Sequence, residues 1–173
     1  MTTPPAPDAP PALYTIGHSN HPAEVFLALL RRHGIGRVLD VRSRPYSRWP
    51  WFGREHLARL LDEAGVGYRW MGDTLGGRPE DPSLHGPDGA PDYDAMAAAP
   101  AFRAGLAALQ TELAGSVRVA VLCSEGDPRR CHREHLIARA LRPQGVRVVH
   151  LLPDGRAEDA TEPPAPRQLG LDV

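Results

Sequence analysis

The chain has 173 residues, with 20 basic and 21 acidic side chains and a formal net charge of −1. That length fits one domain with a real core, and the composition is that of an ordinary soluble globular protein apart from 19 prolines and 17 glycines. No run of about 18 apolar residues is present, which excludes a transmembrane helix. Met1-Thr-Thr-Pro-Pro-Ala-Pro7 lacks the charged and apolar regions of a signal peptide, so a cytoplasmic location is expected.

In chain order, residues 1–11 are rich in Pro and Ala and read as a disordered tail. Leu13-Tyr-Thr-Ile-Gly17 reads as a buried strand. Pro22 opens a helix to about His33, with Val25, Leu29 and Leu30 on one face and Gly34 as its end. Arg37-Val-Leu-Asp-Val41 is a second strand, and the two prolines between Arg42 and Trp51 forbid a regular element there. A helix over about 54–63 and a third strand, Val66-Gly-Tyr-Arg-Trp70, follow.

Residues 72–100 are dense in Gly, Pro and Asp and read as a long loop of the lid or binding type. Ala101–Leu113 is helical, with Phe102, Leu106, Leu109 and Leu113 in register. Val117–Leu122 is the fourth strand, Cys131–Leu141 a helix and Val146–Leu152 the fifth strand. From residue 154 to 173 the chain is acidic and Pro-rich and reads as a mobile tail. Strands alternating with helices predict a single α/β domain over residues 12–153. It has a mostly parallel sheet of about five strands and helices on both faces, in a Rossmann-like or rhodanese-like three-layer sandwich.

In such sheets ligands sit beyond the carboxyl ends of the strands. Four polar clusters fall there: Gly17-His-Ser-Asn20, Arg42-Ser-Arg-Pro-Tyr-Ser-Arg48, Leu75-Gly-Gly-Arg78 and Cys123-Ser-Glu-Gly-Asp-Pro-Arg-Arg-Cys-His-Arg133. The last holds both cysteines of the chain. In a reducing compartment they are expected as thiols. Cys131, read as lying in a first helical turn, would have its thiol pKa lowered by the helix dipole. A metal is not expected. Cys-x7-Cys-His is not the usual ligand spacing, and adjacent Cys131 and His132 on a helix would point apart.

Asp127 before Pro128 reads as a turn residue, whereas Glu125 has no such structural reason and is a candidate general acid–base. His18 stands at a strand end, where capping accounts for Ser19 or Asn20 but not for the imidazole. Asp40 and Arg42 share one strand face, either as a loop-fixing pair or as site residues. Eight arginines lie between Arg31 and Leu60 against Asp40 and Glu55, and the stretch around Arg44, Ser47 and Trp49 interleaves them with aromatic rings. Rings stack on bases while Arg meets phosphate, a pattern that suits nucleic acid. All 20 basic residues are Arg, so no lysine side chain can form a Schiff base.

Together the clusters resemble the domain-of-unknown-function family 488. The residues that carry the likeness are Thr15-Ile-Gly-His-Ser19, Asp40-Val-Arg-Ser43 with Pro45 and Ser47, Leu75-Gly-Gly77 and Cys123-x-Glu-x-Asp-Pro-x-x-Cys-His-Arg133, over residues 13–152. The resemblance implies architecture and site more than reaction, with DNA repair and base removal as its functional setting. A histidine expected beyond the last strand is not evident past His150. A looser likeness is to the rhodanese fold, in which a cysteine carries sulfur in an anion-binding loop; here that loop is longer and acidic at Glu125 and Asp127.

The expected function is an enzyme acting on nucleic acid or a nucleotide, namely a monofunctional glycosylase-type hydrolase of a modified base. The catalytic set is Glu125, Asp40, His18 and Cys123. The substrate-binding set is Ser19, Arg42, Ser43, Arg44, Ser47, Trp49, Gly76, Gly77, Cys131, His132 and Arg133. The expected partner is an anionic substrate, with no cofactor and no membrane. The alternatives are a rhodanese- or phosphatase-like thiol enzyme using Cys123 or Cys131, and a non-catalytic anion-binding module.

Overall fold

The structure is a computed structural model and describes residues 12–160. The tail expected over residues 1–11 and the part of the acidic tail beyond residue 160 lie outside the described residues. The fold is α/β, built on one six-stranded sheet. Its strands are β1 (Ala12–Gly17), β2 (Arg37–Asp40), β3 (Gly67–Trp70), β4 (Val119–Cys123), β5 (Arg147–Leu151) and β6 (Ala157–Asp159). They lie in the order β3-β2-β4-β1-β5-β6, all parallel except β6, which runs antiparallel to β5.

Alternation along the strands divides the core into two layers, because successive side chains of a strand face opposite sides. On one side Ile16, Val38, Ala120, Leu122 and Leu151 pack against α1 (Ala23–Arg32) and α2 (Arg54–Glu63) through Phe26, Leu30, Leu57 and Leu61. On the other, Leu13, Leu39, Val121 and Val148 meet Leu75 of α3 (Gly72–Leu75), Met96 of α4 (Tyr93–Ala98) and Phe102, Leu106 and Leu109 of α5 (Pro100–Leu113). Leu136, Ile137 and Leu141 of the last helical segment complete that layer. Among the described residues no helix is long and apolar enough to cross a membrane.

Three segments depart from the sequence expectation. Residues 72–100 are not one irregular loop. They hold α3, a 3-10 turn (Pro82–Leu84), a bridge between His85 and Pro91, and α4. Asp81 and Asp92 cap two of these elements by accepting from backbone amides of Ser83, and of Asp94 and Ala95. Few apolar residues anchor them, chiefly Leu75 and Met96, so no periodicity announces them.

Residues 157–159, placed in the mobile tail, instead form β6. All three are exposed, so no hydrophobic alternation marks the strand; backbone pairing and an Arg147–Asp159 ion pair hold it. The helix expected from Cys131 begins only at Arg133. It winds as a π-helix over Arg133–Ala138 before an α turn (Arg139–Leu141, α6) and a 3-10 turn (Arg142–Gln144).

The register sets strand ends side by side. Gly17 pairs with Cys123, and Asp40 lies between Leu122 and Trp70. The chain leaves β1 toward the α1 layer and β4 toward the opposite one. Loops that part in this way open a crevice at the carboxyl edge of the sheet.

Candidate functional site

A cleft of about 820 Å³ occupies that crevice. The loop after β1 contributes Ser19 to it, the loop after β2 Arg42, Ser43, Arg44 and Tyr46, and the segment after β3 Gly77 and Arg78. The loop after β4 contributes Cys123, Ser124, Glu125, Arg130, Cys131 and His132. Two close approaches hold these loops together. A Cβ on Gly17 would lie 1.8 Å from the carbonyl oxygen of Glu125, so only glycine lets β1 pass the cysteine loop. A Cβ on Gly77 would lie 2.6 Å from Cγ of His132, so this glycine lets the chain close over the imidazole. Ser19 has φ of 48°, a left-handed conformation uncommon outside glycine, and its amide donates to the Ser124 carbonyl at 3.0 Å.

The sulfurs of Cys123 and Cys131 lie 3.0 Å apart, both as free thiols. Nδ1 of His132 is 3.5 Å from the Cys131 sulfur and 3.9 Å from that of Cys123. The expectation that Cys131 and His132 point apart therefore fails. Cys131 is not helical: it is extended, with φ −134° and ψ 151°, and His132 precedes the π-helix, so both side chains turn to one point. The contact with Cys123, aided by His132 and Arg133, pulls the Cys131 thiol well below its ordinary value against the cost of burial. The same contact and burial push the Cys123 thiol well up. Nε2 of His132 is buried without a partner among the described residues.

Arg133 is fully buried. It donates to the Glu125 carbonyl at 2.6 Å, to Thr15 Oγ1 at 3.1 Å and to the Cys131 sulfur at 3.5 Å. It is therefore a brace of the loop and not the substrate-binding arginine that the sequence suggests. Glu125 itself projects into the cleft with an exposed side chain. Its carboxylate enters none of the ion pairs among the described residues.

Asp40 is equally enclosed. Its carboxylate accepts from Arg42 Nε at 2.8 Å, from Arg42 Nη2 at 2.7 Å and from the Tyr68 hydroxyl at 2.5 Å. Nη1 of Arg42 donates to the Phe52 carbonyl at 2.7 Å. Of the two readings of this pair, the geometry is that of a loop anchor, with no face of Asp40 open to a substrate. Its electrostatics agree: burial and the Asp40 carboxylate push the Tyr68 hydroxyl well above its ordinary value, and Asp40 holds Arg42 charged against desolvation.

His18 is buried and stacked on Phe52 with centroids 4.3 Å apart, and Nδ1 donates to the Ser19 carbonyl at 2.8 Å. Burial lowers its pKa to about 4, which keeps the ring neutral, and Nε2 has no partner among the described residues. The side chain stands behind the cleft wall, outside its lining.

Ser43 accepts from the Arg78 amide at 2.9 Å, and a Cβ on Gly76 would lie 2.2 Å from its hydroxyl, so both residues serve loop closure. Ser47 accepts from the Trp49 amide at 3.1 Å in a local turn. Trp49 and Trp51 pack against the α1–α2 layer and Phe52 is inside it, so most of the aromatic stretch is core; Tyr46, 69% exposed, is the ring that reaches the cleft.

Arg44, Arg78 and Arg130 are exposed on the cleft wall, where Glu80 and Glu125 also stand. Among the described residues none of the three arginines has an ion-pair partner. Sequence reasoning included Arg78 and Arg130 in its strand-end clusters but kept only Arg44 of these three arginines in its substrate-binding set, and it passed over Tyr93. Arg78 and Arg130 stand directly beside motifs that it did select, Gly76-Gly77 and Cys131-His132, and that adjacency was the available signal.

A family profile, described as Domain of unknown function DUF488, matches residues 22–140. The chain belongs to this family. The match reaches from the start of the first helix through the cysteine loop and the π-helix, so the site elements of β2, β3 and β4 lie inside the DUF488 region. Comparison with curated proteins and with solved structures finds no match.

Proposed function

We propose that this DUF488 protein is a hydrolase of nucleotides or nucleic acid that cleaves the N-glycosidic bond of a modified base. The observation that carries the reading is the meeting, in one cleft, of three arginines that have no ion-pair partner among the described residues with the exposed side chain of Glu125. Arg44, Arg78 and Arg130 supply donors for substrate phosphates, which arginine binds through its planar fork. Tyr46 and Tyr93 offer rings for a base to stack on. The cleft volume is in the range of small-molecule sites.

Glu125 accepts a proton from water as its oxygen bonds to C1′ of the sugar. The C1′–N bond breaks with its electron pair leaving on the base, which then takes up a proton. The carboxylate also opposes the positive charge that develops on the sugar. With no lysine side chain to form a Schiff base, the product of this route is an abasic sugar on an intact strand. Asp40, Arg42, His18 and Arg133 position loops in this reading and do not touch the substrate.

The test is incubation with a panel of nucleotides and duplexes carrying modified bases, read as free base and abasic sites. Turnover that falls by about 10²-fold or more in Glu125→Gln supports the reading. No base released from any substrate, together with no salt-dependent binding of nucleic acid, overturns it.

A further inference from the structure

We propose that Cys123, Cys131 and His132 form a three-ligand zinc site whose fourth position opens into the cleft. The three ligand atoms, two sulfurs and Nδ1, lie within 4.8 Å of one another. Tetrahedral zinc with bonds of about 2.3 Å to sulfur and about 2.0 Å to nitrogen requires ligand–ligand edges of about 3.8 Å for S···S and about 3.5 Å for S···N. The S···N edges are 3.5 and 3.9 Å, within a few tenths of that requirement. The S···S edge of 3.0 Å opens by under about 1 Å to match it. At 3.0 Å the sulfurs are also too far apart for a bond of about 2.05 Å.

Two further observations point to the same place. Gly77 packs against the His132 ring, and any side chain there would meet Cγ and Nδ1 at under 3 Å, so the imidazole is held in one orientation toward the sulfurs. Arg133 is a fully buried cation with no carboxylate partner among the described residues; the Cys131 sulfur is the only side-chain sulfur or acid it contacts. A buried guanidinium is stable beside a thiolate, and a bound divalent ion keeps both sulfurs deprotonated. Two thiolates on a divalent ion sum to zero charge, so Arg133 then favours an anion or hydroxide in the open position.

That position is open because Cys123, Cys131 and His132 all line the cleft while the buried Arg133 closes the side behind them. Three protein ligands plus one open position is the arrangement of catalytic zinc, and two thiolates with a histidine is an established ligand set for it. The usual short Cys-x-x-Cys spacing is replaced by a loop of seven residues, which Asp127 folds back by accepting from the Arg129 amide at 3.0 Å. The inference stands apart from the proposed reaction, since ligand geometry carries it and no substrate enters it.

The experiment uses the full chain, reduced and stripped of metal, titrated with Co(II) and then Zn(II). The expected result is one Co(II) per chain with thiolate-to-cobalt charge-transfer absorption, displaced by Zn(II). Cys123→Ser, Cys131→Ser and His132→Ala each weaken binding by about 100-fold or more. Circular dichroism of each variant shows whether it is folded. Should one be unfolded, thiol counting on the wild type decides: both cysteines are shielded from a maleimide with Zn(II) bound and are released together by a chelator.

Less than one equivalent of Co(II) on the folded, reduced wild type overturns the inference. So does unchanged binding in folded Cys131→Ser, or a disulfide that forms readily in a chain that binds no metal when reduced. Base release without metal binding leaves the hydrolase reading standing and removes the metal. Metal binding without base release does the reverse.

Discussion

Arg133 donates to the backbone carbonyl of Glu125 at 2.6 Å, so a residue with no exposed surface holds an exposed acid of the cleft in place. The same guanidinium reaches Thr15 in β1 and the Cys131 sulfur, which ties the central strand, the cysteine loop and the π-helix to one group. Lysine is a point donor and cannot span these directions. Arg133→Lys is therefore expected to lose about 2–4 kcal/mol, at about 1.5–3 kcal/mol for a hydrogen bond to a charged group. Thermal denaturation reads this as a fall of roughly 5–15 °C. A melting temperature within about 2 °C of wild type would remove the brace role.

The Asp40–Arg42 pair gives a prediction that separates anchoring from catalysis. Asp40→Asn leaves the buried Arg42 charge without its partner, a change that costs about 3–5 kcal/mol. Tyr68→Phe removes one donor to the same carboxylate and costs about 1–3 kcal/mol. Both variants are expected to lower the urea midpoint while the folded fraction keeps turnover within about tenfold of wild type. A folded Asp40→Asn protein with turnover down by about 10³-fold or more would make Asp40 a reacting group instead.

Much of this was legible in the sequence. Apolar strands separated by amphipathic helices placed the sheet, and the rule that ligands bind beyond strand ends placed the cleft. Burial is what the pattern did not disclose. Arg42, Arg133, Asp40 and His18 are polar and lie at strand ends or in the segments that follow them, which in a sequence looks the same whether the group faces a substrate or a neighbouring loop. The dihedral angles of Cys131 were equally hidden: a helical run that starts at Cys131 and one that starts at Arg133 differ by two residues in a string, yet only the second brings Cys131 and His132 together.

His150 sets a pH dependence. Its Nδ1 lies 2.6 Å from Thr15 Oγ1 and its Nε2 lies 2.6 Å from Glu134. Burial lowers its pKa below the ordinary 6.5, against the upward pull of Glu134, so the ring is neutral: Nε2–H donates to Glu134 and Nδ1 accepts from the Thr15 hydroxyl. The charged form is the one the fold disfavours. The unfolded chain takes up this proton as pH falls through about 6.5, and the folded chain does so only lower. Stability is thus full above about 6.5 and declines below it. His18 and His21, also lowered by burial, add to the slope with the same sign. Melting curves from pH 8 to 5 test this, with a shallower decline expected for His150→Gln. An equal slope in the variant would assign the dependence elsewhere.

Gly77 is where packing and metal binding are predicted to meet. Gly77→Ala places a methyl 2.6 Å from Cγ and 2.7 Å from Nδ1 of His132, and the ring is confined by burial on its other side. Overpacking of this kind costs about 1–3 kcal/mol. Rotation of the imidazole is expected to weaken Co(II) binding by about 10–100-fold. Gly115→Ala is the control: its nearest contact would be the Glu112 carbonyl at 3.3 Å, far from the cleft, and its affinity for cobalt is expected to equal wild type. Equal affinity in Gly77→Ala as well would show that His132 is not oriented by this contact.

The arginine wall makes a prediction about salt. A ligand whose phosphates meet Arg44, Arg78 and Arg130 releases about 0.7 counterion per neutralised phosphate on a single strand. Log affinity for a single-stranded oligonucleotide should then fall with log salt at a slope near −2, about −0.7 for each of three contacts. Each Arg→Gln substitution should flatten the slope by about 0.7 and weaken binding at low salt without regard to base identity, since a phosphate contact carries no sequence information. Arg129→Gln tests the site directly. That side chain is exposed on the same loop but is engaged by Asp127 at 3.0 Å, so it should leave the slope unchanged. A slope equally reduced by Arg129→Gln and Arg130→Gln would mean that general surface charge, and not the cleft, attracts the anion.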